Sequence, residues 1–164
     1  MVIKKCCLLL NFLLFFSITS HAQIEVAHVS SKGYSAIGYG AFLNFSLAVS
    51  EGSYATLEGG VQYFKDKNKG EFTSIPFLAG FRYTLNQSGE GFYVEPTAGY
   101  AFSMSDYDEG NGIAAGLGMG YLFDITNIPF NVGIRYLHSF DNSNANVISL
   151  RISHSLTFGR RNRD

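Results

Sequence analysis

Alternation with period two constrains this chain more than any other feature. From Ile37 to Phe158, apolar residues recur at every second position in stretches broken by short polar turns. In the first stretch Ile37, Tyr39, Ala41, Leu43, Phe45, Leu47 and Val49 share one face. Gly38, Gly40, Phe42, Asn44, Ser46 and Ala48 share the other. Successive residues of a β-strand point to opposite sides, so this pattern builds strands with one apolar and one polar face. Six further segments repeat it, at 55–63, 74–85, 92–103, 113–124, 130–137 and 148–158. A weaker eighth, 24–30, comes first, with Ile24 and Val26 on one face. None of these segments has a helical period. The turns at 50–53, 86–90 and 125–129 are tight, and those at 65–71, 104–111 and 140–146 are longer and more polar. Short and long connections thus alternate, as they do in an up-and-down barrel that crosses a membrane.

Composition helps decide which face points outward. Charged residues are only 15% of the chain, against roughly a quarter in soluble domains. The polar faces are rich in Gly, Ala, Ser and Thr rather than Lys and Glu. A water-facing exterior would carry more charge, whereas the narrow lumen of an eight-stranded barrel suits small residues around a few large ones. Gly60-Val61-Gln62-Tyr63, Gly80-Phe81-Arg82-Tyr83, Gly118-Met119-Gly120-Tyr121 and Gly133-Ile134-Arg135-Tyr136 repeat one pattern, with each Gly on the polar face and each Tyr on the apolar face. Assigned by strand direction, Tyr83, Phe92, Tyr121, Phe123, Phe130 and Phe158 form a belt at the tight-turn rim. Tyr39, Tyr63, Tyr100, Phe102 and Tyr136 form a second belt near the long-loop rim. Two aromatic girdles around an aliphatic middle mark a bilayer-spanning barrel. A soluble barrel with an apolar interior is the competing arrangement.

The N-terminus has the form of a secretory signal. Lys4 and Lys5 precede an apolar run from Cys6 to Phe16, and Ser20 and Ala22 occupy the −3 and −1 positions of a cleavage site. The expected division is a signal peptide over 1–22 and a barrel domain over 23–164. Both cysteines, Cys6 and Cys7, leave with the signal, so the remaining chain has no disulfide and no thiol nucleophile. The formal net charge is −1, which gives no basic excess for a nucleic-acid backbone.

Five charges lie on the polar faces: Glu58, Arg82, Glu95, Arg135 and Arg151. Charges inside a low-dielectric wall require partners, and the Arg fork matches a carboxylate. The expectation is an ion-pair network plugging the lumen, either as a static polar core or as a gate whose pairs exchange. Gly116, Gly118 and Gly120 leave room for long Arg side chains opposite. Asp106-Tyr107-Asp108-Glu109-Gly110 has the oxygen density of a calcium loop without its full ligand spacing, so it is expected to be a solvated acidic loop. His28 and His154 form no metal-ligand spacing, and no cofactor or metal is expected. The Arg160-Arg161-Arg163 tail would meet periplasmic polymer, inner-leaflet phosphate or solvent.

The signal segment, the alternating strands and the closing Val132-Gly133-Ile134-Arg135-Tyr136 and Val147-Ile148-Ser149-Leu150-Arg151-Ile152 resemble the small bacterial outer-membrane β-barrels of the OmpA/OmpX type. The resemblance implies an all-β, eight-stranded antiparallel transmembrane barrel in the cell outer membrane. It implies outer-membrane lipids and the barrel-assembly machinery as partners, with an external ligand left open. Members of this group usually end on an aromatic residue that the assembly machinery reads. Here Phe158 is followed by Gly159-Arg160-Arg161-Asn162-Arg163-Asp164. The expected role is structural or loop-presenting and non-enzymatic; the alternatives are a narrow gated pore or a soluble periplasmic ligand-binding barrel. A lipid A-modifying enzyme is a further alternative, because lipid A deacylases are barrels of this size with a His, a Ser two residues on and an acidic partner. His138 is instead followed two residues on by Phe140, with no matching downstream Glu, so His138 is expected to be a rim residue.

Overall fold

The computed structural model describes residues 18–31, 34–66, 70–86, 90–105, 111–126, 128–140 and 144–156. Eight strands run in chain order: β1 (Ile18–Ser31), β2 (Tyr34–Ser50), β3 (Ser53–Asp66), β4 (Gly70–Thr84), β5 (Gly91–Ser105), β6 (Asn111–Ile125), β7 (Ile128–Ser139) and β8 (Asn146–Leu156). Each pairs antiparallel with its sequence neighbour, and β1 also pairs with β8, from Ser20↔Leu156 to Ser30↔Asn146. The sheet therefore closes, and closure removes the unpaired edge that a sheet would otherwise offer to other chains. The strands run from 11 residues in β8 to 17 in β2. All reach the 9–11 residues that a tilted strand needs to cross a bilayer.

Local chemistry explains the turns. Gly52 adopts φ 70 between β2 and β3, a left-handed conformation that costs glycine little. Its carbonyl accepts from the Thr84 backbone N–H at 2.7 Å and the Thr84 hydroxyl at 3.0 Å, which ties this turn to the end of β4.

Two segments differ from the sequence reading. The weak first strand is longer than 24–30: β1 begins at Ile18, and Ile18 to Ala22 pair with Leu47 to Leu43 of β2. The expected cleavage point after Ala22 thus falls within this ladder. The long loops are also shorter than expected. Lys65 and Asp66 continue β3 and pair with Glu71 and Gly70 of β4; Met104, Ser105 and Asn111 also lie in strands. Backbone hydrogen bonding carries the ladder through these polar residues, because pairing depends on the main chain and not on side-chain hydropathy.

Burial is reversed relative to a water-soluble protein. Ile37 is 70% exposed and Tyr39 65%, while Arg135, Arg151 and Glu95 are each 1% exposed. The interior is divided along its axis. Toward the tight-turn end it is lined by small polar groups, among them Ser46, Thr56, Thr84, Asn131 and Ser153. Toward the loop end, Val29, Phe64, Leu78, Leu137 and Val147, with several alanines, form a buried apolar cluster that Tyr34 and Phe72 pack against. The charged residues lie between these zones. Sequence alternation marked the inner faces as polar and did not show that their loop-end third is apolar.

Glycine makes the narrow interior possible. The Phe42 ring lies over Gly60, where a built Cβ would sit 2.3 Å from its Cδ1. The Tyr93 hydroxyl reaches across Gly120 and Gly133, 2.7 and 2.8 Å from their built Cβ positions. Gly118 does leave room for Arg151, whose Nη2 would lie 2.8 Å from an added Cβ. Gly116 instead makes space beside Leu137 and Thr97, and Gly120 beside Tyr93.

Candidate functional site

The lumen brings all five sequence-marked charges together and adds a sixth. Arg82 Nη2 lies 3.0 Å from Glu95 Oε2, and Arg151 Nη2 lies 3.5 Å from the same oxygen. Arg151 Nη1 is 3.4 Å from Glu58 Oε2. Arg135 donates through Nη1 to Glu58 Oε1 and through Nη2 to Glu25 Oε2, the second at 2.9 Å. The network therefore runs Arg82, Glu95, Arg151, Glu58, Arg135, Glu25. Among the described residues it holds three arginines and three glutamates, so its formal charges cancel. Neutral groups extend it: Gln62 donates to Glu25 Oε1, and Asn44 donates to Glu58 Oε2 at 3.3 Å.

Each element supplies its charge because alternation turns that residue inward. Two arginines also lie over rings. The Arg82 guanidinium carbon is 4.7 Å from the Tyr93 ring centre, and that of Arg135 is 4.8 Å from Phe42. A desolvated guanidinium over an aromatic face gains up to about 2 kcal/mol. The lumen is thus neutralised, stacked and capped at its loop end.

Glu25, Phe42 and Tyr93 escaped sequence reasoning as site members. A signal for Glu25 was present: three arginines against two glutamates leave one buried cation uncompensated, and Glu25 lies between the outward-facing Ile24 and Val26. Phe42 and Tyr93 sit on the polar register, where an aromatic residue must enter the lumen.

The girdle residues lie on the outer surface in two groups. At the tight-turn end, Phe92–Tyr121, Tyr121–Phe123 and Phe123–Phe130 form a chain of ring contacts, with centroids 4.8, 6.3 and 6.1 Å apart, and Phe130 continues to His154. Tyr83 is also outward-facing near that end. Toward the loop end, Tyr39 packs on Tyr63 at 5.6 Å and Tyr100 on Phe102 at 4.9 Å. Tyr136, directly opposite Leu117, is half-exposed and donates its hydroxyl to Asn146 Oδ1 at 2.6 Å. Phe158, the Lys4–Cys7 segment, the acidic run 106–110 and the arginine tail lie outside the described residues.

His138 is outward-facing at the loop end. Its Nδ1 is 2.9 Å from Asn146 Oδ1, and the Phe140 ring meets it edge-on at 4.5 Å. The imidazole is thus oriented by the Asn146 amide and packed by the Phe140 ring. His28 bonds Ser35 Oγ at 3.0 Å near the loop end, whereas His154 lies near the tight-turn end. Among the described residues no group of His, Cys, Asp and Glu could hold a metal ion.

No protein-family model and no curated protein sequence matches the chain. Solved structures do. Neisserial surface protein A (NspA) superposes with a TM-score of 0.71 at 17% identity, over 86% of this chain and 97% of that one. Ail, the attachment invasion locus protein of Yersinia pestis, gives 0.57 at 14% identity, over 84% and 95%. The outer membrane enzyme PagL gives 0.58 at 16% identity, over 83% and 99%. The chain has the fold of the small eight-stranded outer-membrane barrels.

Proposed function

We propose that this chain is an outer-membrane barrel with a sealed, non-conducting lumen, which spans the bilayer and holds its four loop-end connections on the outside. The observation that carries this reading is the filled interior. An ion or small solute crossing the barrel would have to displace the Arg–Glu network and then the apolar cluster of Val29, Phe64, Leu78, Leu137 and Val147. The first step leaves buried charges unpaired, and the second forces a polar species through hydrocarbon. A narrow gated pore is disfavoured for the same reason.

The outward apolar belt supports the membrane location. Exposed Ile24, Ile37, Leu57, Phe92, Ile113 and Ile148 would make a soluble barrel aggregate, since soluble monomers rarely expose contiguous apolar patches beyond a few hundred Å². A periplasmic binding barrel would also need an apolar interior site, which the charge network occupies. Delivery would follow removal of residues 1–22, leaving Gln23 to Ser31 as a β1 of membrane-spanning length, with insertion by the barrel-assembly machinery. The role is structural or loop-presenting, in keeping with Ail, whose name describes attachment and which has also been solved with a heparin analogue. The enzymatic reading that PagL suggests finds no support around His138, where Phe140 stands in place of a nucleophile.

The test is conductance. Purified chain reconstituted in planar bilayers should show no stepwise current above the lipid baseline. Stable single-channel steps would overturn the sealed-lumen reading. Fractionation with heat-modifiable gel mobility checks the location, and recovery as a soluble periplasmic chain would refute it.

A further inference from the structure

The apolar cluster closes the loop end of the lumen, but the tight-turn end carries a cleft. Ser46, Tyr54, Arg82, Glu90 and Asp124 are among its lining residues, and its volume is about 190 Å³. That exceeds the roughly 150 Å³ cavity that takes up a benzene, so the cleft admits a small organic molecule. The mouths of β-barrels are recurrent ligand sites, where a few convergent polar groups fix the ligand's orientation.

Floor and rim of this cleft make opposite demands. At the floor the Arg82 side chain is 5% exposed; its Nη2 is committed to Glu95 and its guanidinium lies over Tyr93. Its Nε has no partner. A buried N–H without an acceptor is costly, so the floor calls for an oxygen. Two further buried atoms of this polar half, Gln23 Nε2 and Asn131 Oδ1, are also unpartnered, and their residues flank Ser153 in register. At the rim Glu90 and Asp124 are exposed, and among the described residues neither has an ion pair or a hydrogen bond. The Arg–Glu network cancels its own charge, so these two acids leave the mouth negative. His21 also lines the cleft. Removal of residues 1–22 would take it away and widen the entrance. The new Gln23 ammonium would offset one of the two acids; the mouth would stay negative, with Arg82, Glu90 and Asp124 all retained.

We propose that this mouth binds a basic amino acid, whose carboxylate accepts from Arg82 Nε and whose ammonium groups donate to Glu90 and Asp124. Each simpler ligand fails one demand. An anion is repelled at the rim. A diamine leaves Arg82 Nε without an acceptor. A neutral amino acid leaves the surplus negative charge unmatched. The contacts that remain are charge-assisted, roughly twice as strong as neutral hydrogen bonds. Val29, Phe64 and Leu78 bar further passage, so the ligand returns the way it came and the site binds without transporting. The membrane reading above enters only in naming the side, which it makes the periplasm.

Isothermal titration calorimetry of the detergent-purified chain tests this with lysine, norleucine and cadaverine. Norleucine lacks the side-chain ammonium and cadaverine lacks the carboxylate, so each group is probed without disturbing the buried network. One lysine should bind per barrel, and norleucine and cadaverine should each bind about tenfold more weakly, the loss of one charge-assisted contact. Glu90→Gln combined with Asp124→Asn should lower lysine affinity about tenfold. Glu71→Gln removes an acid at the loop end and should leave it unchanged. Heat-modifiable mobility confirms that each variant is folded. A folded barrel that takes up no lysine overturns the proposal. Equal affinity for lysine and cadaverine removes Arg82 from the site and overturns it too, as does lysine binding that is indifferent to the Glu90 and Asp124 substitutions. Binding that appears only after residues 159–164 are deleted would give the cleft to the chain's own arginine-rich end instead. Conductance tests the sealed lumen separately, so failure of the site and failure of the seal are distinguishable.

Discussion

Arg135 Nη2 on β7 meets Glu25 Oε2 on β1 at 2.9 Å, although β8 stands between those strands in the wall. The contact crosses the lumen instead of following the sheet. The barrel is therefore held by its ladder around the circumference and by ion pairs through the interior.

Removing one partner of this network leaves a buried charge without compensation, which typically costs 3–5 kcal/mol. Arg135→Met should lower the unfolding free energy in detergent by an amount in that range. Arg82→Leu should act likewise through Glu95. The adjacent outward residues give the contrast: Ile134→Leu and Phe81→Leu exchange one lipid-compatible side chain for another and should cost under about 1.5 kcal/mol. Comparable losses at Phe81 and Arg82 would mean that the burial pattern is inverted.

Gly60 and Gly118 separate two kinds of close approach. A Cβ at Gly60 would lie 2.4 Å from the Ala41 carbonyl oxygen and 2.3 Å from the Phe42 ring, and neither can withdraw easily. Gly60→Ala should destabilise the barrel by about 1–3 kcal/mol. At Gly118 the near atom is the far end of Arg151, and the next contact is 3.6 Å away. Gly118→Ala should cost less than Gly60→Ala in the same denaturation series, and the reverse order would show that Arg151 cannot move.

Sequence made the architecture legible because period-two alternation is a direct record of two-sided burial, and each of the seven clear strands recurs in the barrel with the same faces. Arg82, Glu95, Arg135, Arg151 and Glu58 were legible for the same reason: a charge on an inward register has nowhere else to go. Glu25 was harder to see because its strand has few apolar markers, and β1 is identified mainly by the two neighbours it closes against. The apolar seal was not legible. Val29, Phe64 and Leu137 occupy inward positions singly on separate strands, and only closure brings them together. The extended β3–β4 ladder was also hidden, since Lys65 and Glu71 read as a loop although their backbones pair.

Leu117 tests the outer wall. It is half-exposed on β6, between Ala115 and Met119 on the same face and opposite Pro96 and Tyr136. An arginine there would face hydrocarbon near the middle of the strand, at a cost of about 2–4 kcal/mol. Leu117→Arg should shift the folding equilibrium into lipid vesicles by that amount, while folding into detergent micelles, where water is closer, should be less affected. Equal tolerance in both media would place this face in water.

Orientation gives the last prediction. The loop-end connections should face outward and the tight turns inward, because a chain whose β1 starts in the periplasm brings β8 back there after eight crossings. On the proposed removal of residues 1–22, Cys6 and Cys7 leave the chain and an introduced cysteine is its only thiol. Cysteine placed at Asn68, Asp108 or Asn144 should react with a membrane-impermeant maleimide on intact cells. Cysteine placed at Gln87 or Asn127 should react only after the outer membrane is permeabilised. Labelling in the opposite sense would invert the barrel. The apolar seal of Val29, Phe64 and Leu137 would then close the lumen from the periplasmic side, and the Ser- and Thr-lined half would open to the exterior.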